Sequence, residues 1–292
     1  MNYLYYPGCS ATSTCRAYGE SAQAVVEALG LEMPELADWN CCGSSAYFSI
    51  DKRAALAFAG RNLALAERQL RGGGDLVTIC AGCYSALGKV NRELAQNPLL
   101  RKEIGEALAA AGLGYGGRIR VRHLLDVLAN DVGREVLEAM CVAPLEGLRV
   151  ACYSGCALSR PHAEFDDPEF PIVMEGLLTS LGAEPVYFPL KAKCCGGLLM
   201  LTREEIGLAL VKKLLDSAAD NGAECIATAC PLCQMNLENY QGEVNRAFGT
   251  DFSLPIVYFT QLVGMALGLS KEELGLGREL VSTEPLFRYL VA

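Results

Sequence analysis

The sequence predicts an α/β protein built from two pseudo-repeated, Rossmann-like α/β domains, residues 1–145 and 146–292, each with its own five-cysteine motif. Three observations predict this. Ten of the fourteen cysteines form two copies of one pattern. The first is Cys9, then Cys41-Cys42-Gly43, then Cys80-x-x-Cys83; the second is Cys156, then Cys194-Cys195-Gly196, then Cys230-x-x-Cys233. Equivalent cysteines lie 147 to 153 positions apart, so the repeat is about half of the 292-residue chain. Strand-length apolar runs also alternate with helical periodicity in the same order in both halves, the signature of parallel sheets with crossover helices.

The elements follow in order. Tyr3, Leu4, Tyr5 and Tyr6 read as a buried strand that ends at Pro7-Gly8-Cys9, and residues 148–151 read the same way before Gly155-Cys156. Helical segments follow at 19–29 and 172–181. A strand at 185–188 leads toward the second Cys-Cys-Gly turn. Long helices follow both turns, at 51–70 and 203–219, and Gly72-Gly73-Gly74 stops the first. Strands at 76–79 and 225–229 each run into a CxxC, and each CxxC opens a helix, at 84–94 and 234–246. A strand–helix pair closes each half, at 119–128 and 256–267. The link at 141–147 reads as the boundary, and Ser270-Lys-Glu-Glu273 as a capping box that starts a short helix. Ligands of such sheets gather at the carboxyl ends of strands. Cys9, Cys80, Cys156 and Cys230 fall there, so each motif can converge.

Composition narrows the chemistry. With 51% hydrophobic residues there is enough apolar material for two cores. A net charge of −9 without a basic run argues against nucleic acid. No apolar run reaches membrane-span length, and residues 1–9 lack the form of a signal peptide, so a cytoplasmic location without direct membrane insertion is expected. Fourteen cysteines in that compartment point to metal or redox chemistry. Clustered thiolates select zinc, copper(I) or iron–sulfur. A tetrahedral zinc uses four thiolates, and a cubane cluster has four irons with one protein ligand each. A fifth cysteine is therefore spare or serves a cluster of another shape. Zinc in one motif stays open as the alternative.

Cys15, Cys141, Cys152 and Cys225 lie outside the pattern. Cys156 is preferred to Cys152 as the opening member because it follows glycine, as Cys9 does. Gly112-Leu-Gly-Tyr-Gly-Gly117 matches GxGxxG but precedes a strand, which makes it a loop. His123 and His162 are the two histidines, and His123, at a strand–helix junction, reads as a packing or capping residue, with a site-facing role as the alternative. Lys191, Lys193 and Arg160 flank motif cysteines. They are either surface charges or cations that bind an anionic substrate.

The segments Tyr6-Pro-Gly-Cys9, Cys41-Cys-Gly43, Cys80-Ala-Gly-Cys83, Tyr153-Ser-Gly-Cys-Ala-Leu-Ser-Arg-Pro161, Cys194-Cys-Gly196, Cys230-Pro-Leu-Cys233 and Tyr258-Phe-Thr-Gln261 resemble the B subunit of heterodisulfide reductase, with its two cysteine-rich CCG domains. The resemblance implies two noncubane 4Fe–4S clusters, one held by Cys9, Cys41, Cys42, Cys80 and Cys83, the other by Cys156, Cys194, Cys195, Cys230 and Cys233. It also implies a disulfide cleaved in a cavity between the halves. The sequence has no motif for cubane clusters, flavin or nicotinamide. The resemblance supplies the missing electron path: a C subunit with two cubane clusters and a flavin-containing A subunit behind it. Ala157 stands where the methanogen enzyme has His, and Asp166-Asp-Pro168 looks more like bacterial members. The substrate is then a heterodisulfide of the coenzyme M–coenzyme B kind or a bacterial equivalent. The competing class is an electron-transfer or scaffold component of a lactate or glycolate oxidase-like or quinone-linked complex.

Overall fold

A computed structural model describes residues 2–44, 46–160 and 164–290. Among the described residues, seven strands form two parallel sheets. The first has β1 (Tyr3–Tyr6), β2 (Gly74–Thr78) and β3 (Ile119–His123) in the order β1-β2-β3. Glu35 extends it with a parallel bridge to Tyr5. The second has β4 (Arg149–Tyr153), β5 (Glu184–Pro185), β6 (Cys225–Thr228) and β7 (Ile256–Tyr258) in the order β5-β4-β6-β7. The Glu35 bridge occupies the place of β5, so the two sheets repeat one topology.

The strands are buried along most of their length, as parallel strands covered on both faces are. Each sheet ends in the same row of paired residues. Tyr6, Thr78 and His123 are in register at the carboxyl end of the first, and Tyr153, Thr228 and Tyr258 at that of the second. Helix Lys52–Gln69 begins at Asp51, whose carboxylate accepts from Ala54 N at 3.0 Å. Helix Glu204–Asp220 is its counterpart.

The chain divides into two compact units. One is Met1–Thr14 with Gly30–Leu124; the other is Cys15–Leu29 with Leu125–Ala292. This division departs from halves at 1–145 and 146–292 in two places. Helix Arg16–Ala28 belongs to the second unit because its buried face is satisfied there. Tyr18 stacks on Tyr258 with ring centroids 4.0 Å apart, and Ser21 Oγ hydrogen-bonds Thr260 Oγ1 at 2.7 Å. Helix Arg134–Met140 packs against helix Val173–Ser180, which draws the boundary back to residue 125.

Other details differ from the sequence reading. The strand expected at 185–188 pairs only over Glu184–Pro185. The helix expected at 234–246 breaks at Tyr240 into Pro231–Asn239 and Gln241–Phe248. Helix Pro98–Ala110 is additional, capped by Asn97, which accepts from Leu100 N at 3.1 Å. Ser270 and Glu273 do form reciprocal capping hydrogen bonds, but turns follow them instead of a helix. Among the described residues, no helix is long and apolar enough to cross a membrane.

A close approach inside the second unit gives a prediction. Gly275 has φ +64°, and a Cβ there would lie 2.9 Å from Ala17 Cα. Gly275→Ala is expected to destabilise by about 1–3 kcal/mol through forced repacking. A chemical denaturation curve checks this; an unchanged midpoint contradicts it.

Candidate metal centres

In the first unit, Cys9 follows β1 in the short helical turn Gly8–Ala11. Cys80 caps helix Ala81–Gln96, with Cys83 in its first turn. Helix N-termini favour thiolate charge, which suits this placement. Cys41-Cys42-Gly43 lies on a loop held from behind. The Asn40 carbonyl accepts from Tyr6 OH at 2.8 Å and from Asn62 Nδ2 at 2.9 Å, while Asn40 N donates to Asn62 Oδ1 at 2.9 Å. Arg61 fixes the approach to the loop, donating to Asn40 Oδ1 and pairing with Asp38 at 2.6 Å.

The second unit repeats the arrangement. Cys156 lies in helix Gly155–Ser159, and Cys230 caps helix Pro231–Asn239 with Cys233 in its first turn. Tyr153 OH donates to Lys193 O at 2.7 Å, and Asn236 Nδ2 donates to Cys195 O. Two glycines allow the sulfurs in. Gly8 (φ +74°) and Gly155 (φ +68°) would place a Cβ 3.0 Å from Cys83 Sγ and 3.1 Å from Cys233 Sγ.

The sulfurs meet in pairs. Cys42 and Cys83 are 3.4 Å apart, Cys195 and Cys233 3.7 Å. Among the described residues, no three His, Cys, Asp or Glu side chains gather around one point as ligands of a single ion would. None of the fourteen cysteines is in a disulfide; Cys9, Cys41, Cys156 and Cys194 are exposed, whereas Cys42, Cys83, Cys195, Cys230 and Cys233 are buried.

One thiol in each set is pulled below the usual thiol range. Hydrogen bonds from Cys41 and Cys83 lower Cys42 to about 4, against its burial. Hydrogen bonds from Cys156 and Cys195, helped by Gly196 N at 3.3 Å, lower Cys194 to about 2. The donors move the other way. Cys41 rises through its bond to Cys42, Cys156 through its bond to Cys194, and burial adds to both. Burial first, then the charges of Cys83, Cys42, Cys41 and Cys9, push the Tyr6 phenol far above its usual range. Tyr153 is raised likewise by burial, then by Cys233, Cys195, Cys156 and Cys194.

The structure sets Cys156 beside Cys194. Cys152 lies inside β4, 2% exposed, in register with Ala227. Cys225 lies in the neighbouring β6. Cys15 Sγ points at Pro231 O, 3.8 Å away. His123 is fully buried, hydrogen-bonds Ile79 O at 2.9 Å and meets the edge of Tyr84, as a packing residue does. Residues 112–117 form the expected loop, where Glu67 accepts from Gly116 N. His162 and Pro161 lie outside the described residues.

The three flanking cations part company. Lys191 is corrected: it is 1% exposed, ion-paired with Glu175 and stacked 3.9 Å over the Phe170 ring, so it is not open to a substrate. Arg160 pairs with Glu169 at 3.3 Å and keeps 39% of its side chain exposed. Lys193 is exposed directly before Cys194. Tyr6 and Tyr153 were not legible as site residues from the spacing of cysteines. Their signal is the Tyr-x-Gly-Cys that ends the first strand of both copies.

Residues 3–88 and 150–238 each match the CCG cysteine-rich domain. The chain belongs to the CCG family. This CCG protein is 32% identical over 281 residues to the B subunit of a ferredoxin/F420H2-dependent CoB–CoM heterodisulfide reductase of Methanosarcina acetivorans, covering 94% of this chain and 92% of that one. It is also 32% identical to an 8-methylmenaquinol:fumarate reductase membrane anchor subunit of Wolinella succinogenes, over 97% and 98% of the two chains. A protein of Archaeoglobus profundus described as like the heterodisulfide reductase B subunit is 31% identical over 94% of this chain and 93% of its own. The crystal structure of a hypothetical protein from Helicobacter pylori superposes with a TM-score of 0.75 at 17% identity. The alignment covers 96% of this chain but about half, 52%, of that one, and it shows the shared fold.

The Lys191 pair gives a prediction. Lys191→Met leaves the Glu175 carboxylate without its cation and is expected to cost about 3 kcal/mol. Lys191→Met with Glu175→Gln should recover part of that. Denaturation of the three proteins checks it; equal stability of the single variant and the parent contradicts it.

Proposed function

We propose that the chain is the catalytic subunit of a heterodisulfide reductase-like complex and reduces a disulfide at two noncubane 4Fe–4S clusters. The observation that carries this reading is the duplicated five-thiol set, each with two cysteines open to solvent and the rest more enclosed. The relatives named as heterodisulfide reductase B subunits support it over nearly the whole chain.

The residues fit such groups. Cys9, Cys41, Cys42, Cys80 and Cys83 would hold one cluster, and Cys156, Cys194, Cys195, Cys230 and Cys233 the other. Four thiolates complete a zinc site and leave a fifth idle, whereas a set of five thiols, with one close sulfur pair in each, suits a polynuclear group. Thr228 Oγ1 adds an independent sign. It is fully buried two residues before Cys230 and has no hydrogen-bond partner, which leaves it free to donate to a group bound nearby. When bound, the clusters supply electrons and iron sites for sulfur. The overall reaction takes two electrons and two protons to convert RS–SR′ into RSH and R′SH.

The protein's own part is access and binding. Exposed Cys156 and Cys194 mark the open side of the second site, and Leu198 and Leu232, exposed and close in sequence to Cys195 and Cys233, would cover the apolar arm of a thiol. Lys193, exposed directly before Cys194, would meet an anionic end, with Arg160 as a second. Electrons come from partners: a subunit with two cubane clusters, fed by a flavin-containing subunit. A second reading rests on the Wolinella relative, whose name places it in a quinol-linked complex; there this chain would pass electrons without cleaving a disulfide.

Two measurements test the reading. Cys156→Ala is expected to remove roughly half of the iron of anaerobically purified protein, while Cys152→Ala keeps nearly all of it. The reverse result would show that the second ligand set is misassigned. In turnover, the chain should oxidise a reduced low-potential dye when a disulfide is added, and should not oxidise NADH. Dye oxidation driven by a quinone, with no response to disulfides, supports the second reading instead.

A further inference from the structure

We propose that Tyr6 and Tyr153 are positioning residues that fix the Cys-Cys pair of each centre through one hydroxyl-to-carbonyl hydrogen bond. The inference rests on the proposal that both motifs hold a metal cofactor.

The two tyrosines occupy the same place in the repeat. Each is the last residue of the strand that leads into Gly-Cys, and each is fully buried. Each donates to the carbonyl of the residue just before the pair, Asn40 O at 2.8 Å and Lys193 O at 2.7 Å. These bonds cross 34 and 40 residues of sequence. They tie the Cys-Cys loop to the end of the sheet, where the other ligands already stand. Each ring also lies against the glycine of its Gly-Cys turn, with Cε1 of Tyr6 and Cζ of Tyr153 both 3.6 Å from where a Cβ would sit. The same residue thus touches the Gly-Cys turn and restrains the Cys-Cys loop.

Loops have no ladder of their own to hold them, so their ligands are only as fixed as such cross-links make them. The first loop has additional restraints from Asn62 and Arg61. In the second loop, Asn236 grips Cys195 O and Gly155 N donates to Lys191 O. Neither of those bonds reaches the carbonyl next to Cys194. Loss of the tyrosine hydroxyl should therefore be felt more in the second centre than in the first. Ring packing on Trp39 and Phe188 is separable from this role, because phenylalanine keeps the ring and removes only the donor.

The test compares Tyr6→Phe, Tyr153→Phe and Tyr115→Phe. Tyr115 is the control: its hydroxyl donates to Asn91 Oδ1, and no cysteine acts on it. Metal content, iron or zinc, and the rate of metal loss to a chelator are measured on the purified full-length chain. Spectroscopic reduction potentials follow for each centre. Tyr153→Phe should speed loss from one of two kinetic phases by about three- to tenfold, and Tyr6→Phe should speed the other phase less. The affected centre should also shift its potential. The control should change neither. Wild-type metal-loss rates and potentials in both variants would overturn the inference. Zinc in place of iron in the wild type would sink the iron–sulfur reading and leave the tyrosine comparison intact. A wild-type chain without metal would overturn both.

Discussion

The sulfurs of Cys83 and Cys233 lie against the backbone of Gly8 and Gly155, and both centres depend on that contact. A Cβ at either glycine would come within 3.0 or 3.1 Å of sulfur, and each glycine has a left-handed φ. The strand must therefore end in a turn that only glycine adopts freely, facing a helix that begins with CxxC. Parallel pairing supplies the geometry. With β1 beside β2 and β4 beside β6, the Gly-Cys turn and the CxxC emerge at neighbouring carboxyl ends. The Cys-Cys loop is the part the sheet does not place, and it is brought in by side chains: Asn62, Asn236 and the two strand-end tyrosines.

The electrostatics follow from the same crowding. Hydrogen bonding among thiols this close pulls Cys42 and Cys194 below the usual thiol range, while their partners move up. Filling such a set with metal means expelling whatever thiol protons the set holds.

Much of this was legible in the sequence. The strands ending at Gly-Cys and at CxxC, the long helices after each Cys-Cys-Gly and the duplicated motif all follow from local pattern and spacing. What escaped depends on partners distant along the chain. Helix Arg16–Ala28 has an ordinary apolar face, and nothing local says that Tyr258 and Thr260 will cover it. In the sequence Lys191 reads either as a surface charge or as a substrate-binding cation beside the cysteines. Only the fold brings Glu175 and Phe170 around it and removes it from the set of available cations. Helix Pro98–Ala110 is a different case. Asn97-Pro98 is a cap followed by proline at the first helical position, so the signal was present in the sequence.

The most direct measurement is diffraction at the iron absorption edge from crystals of the anaerobic protein. Two polynuclear iron groups are predicted, one contacting Cys9, Cys41, Cys42, Cys80 and Cys83, the other Cys156, Cys194, Cys195, Cys230 and Cys233. Single-metal peaks with four sulfur ligands each, leaving one cysteine of every motif unbound, would contradict the assignment of both centres.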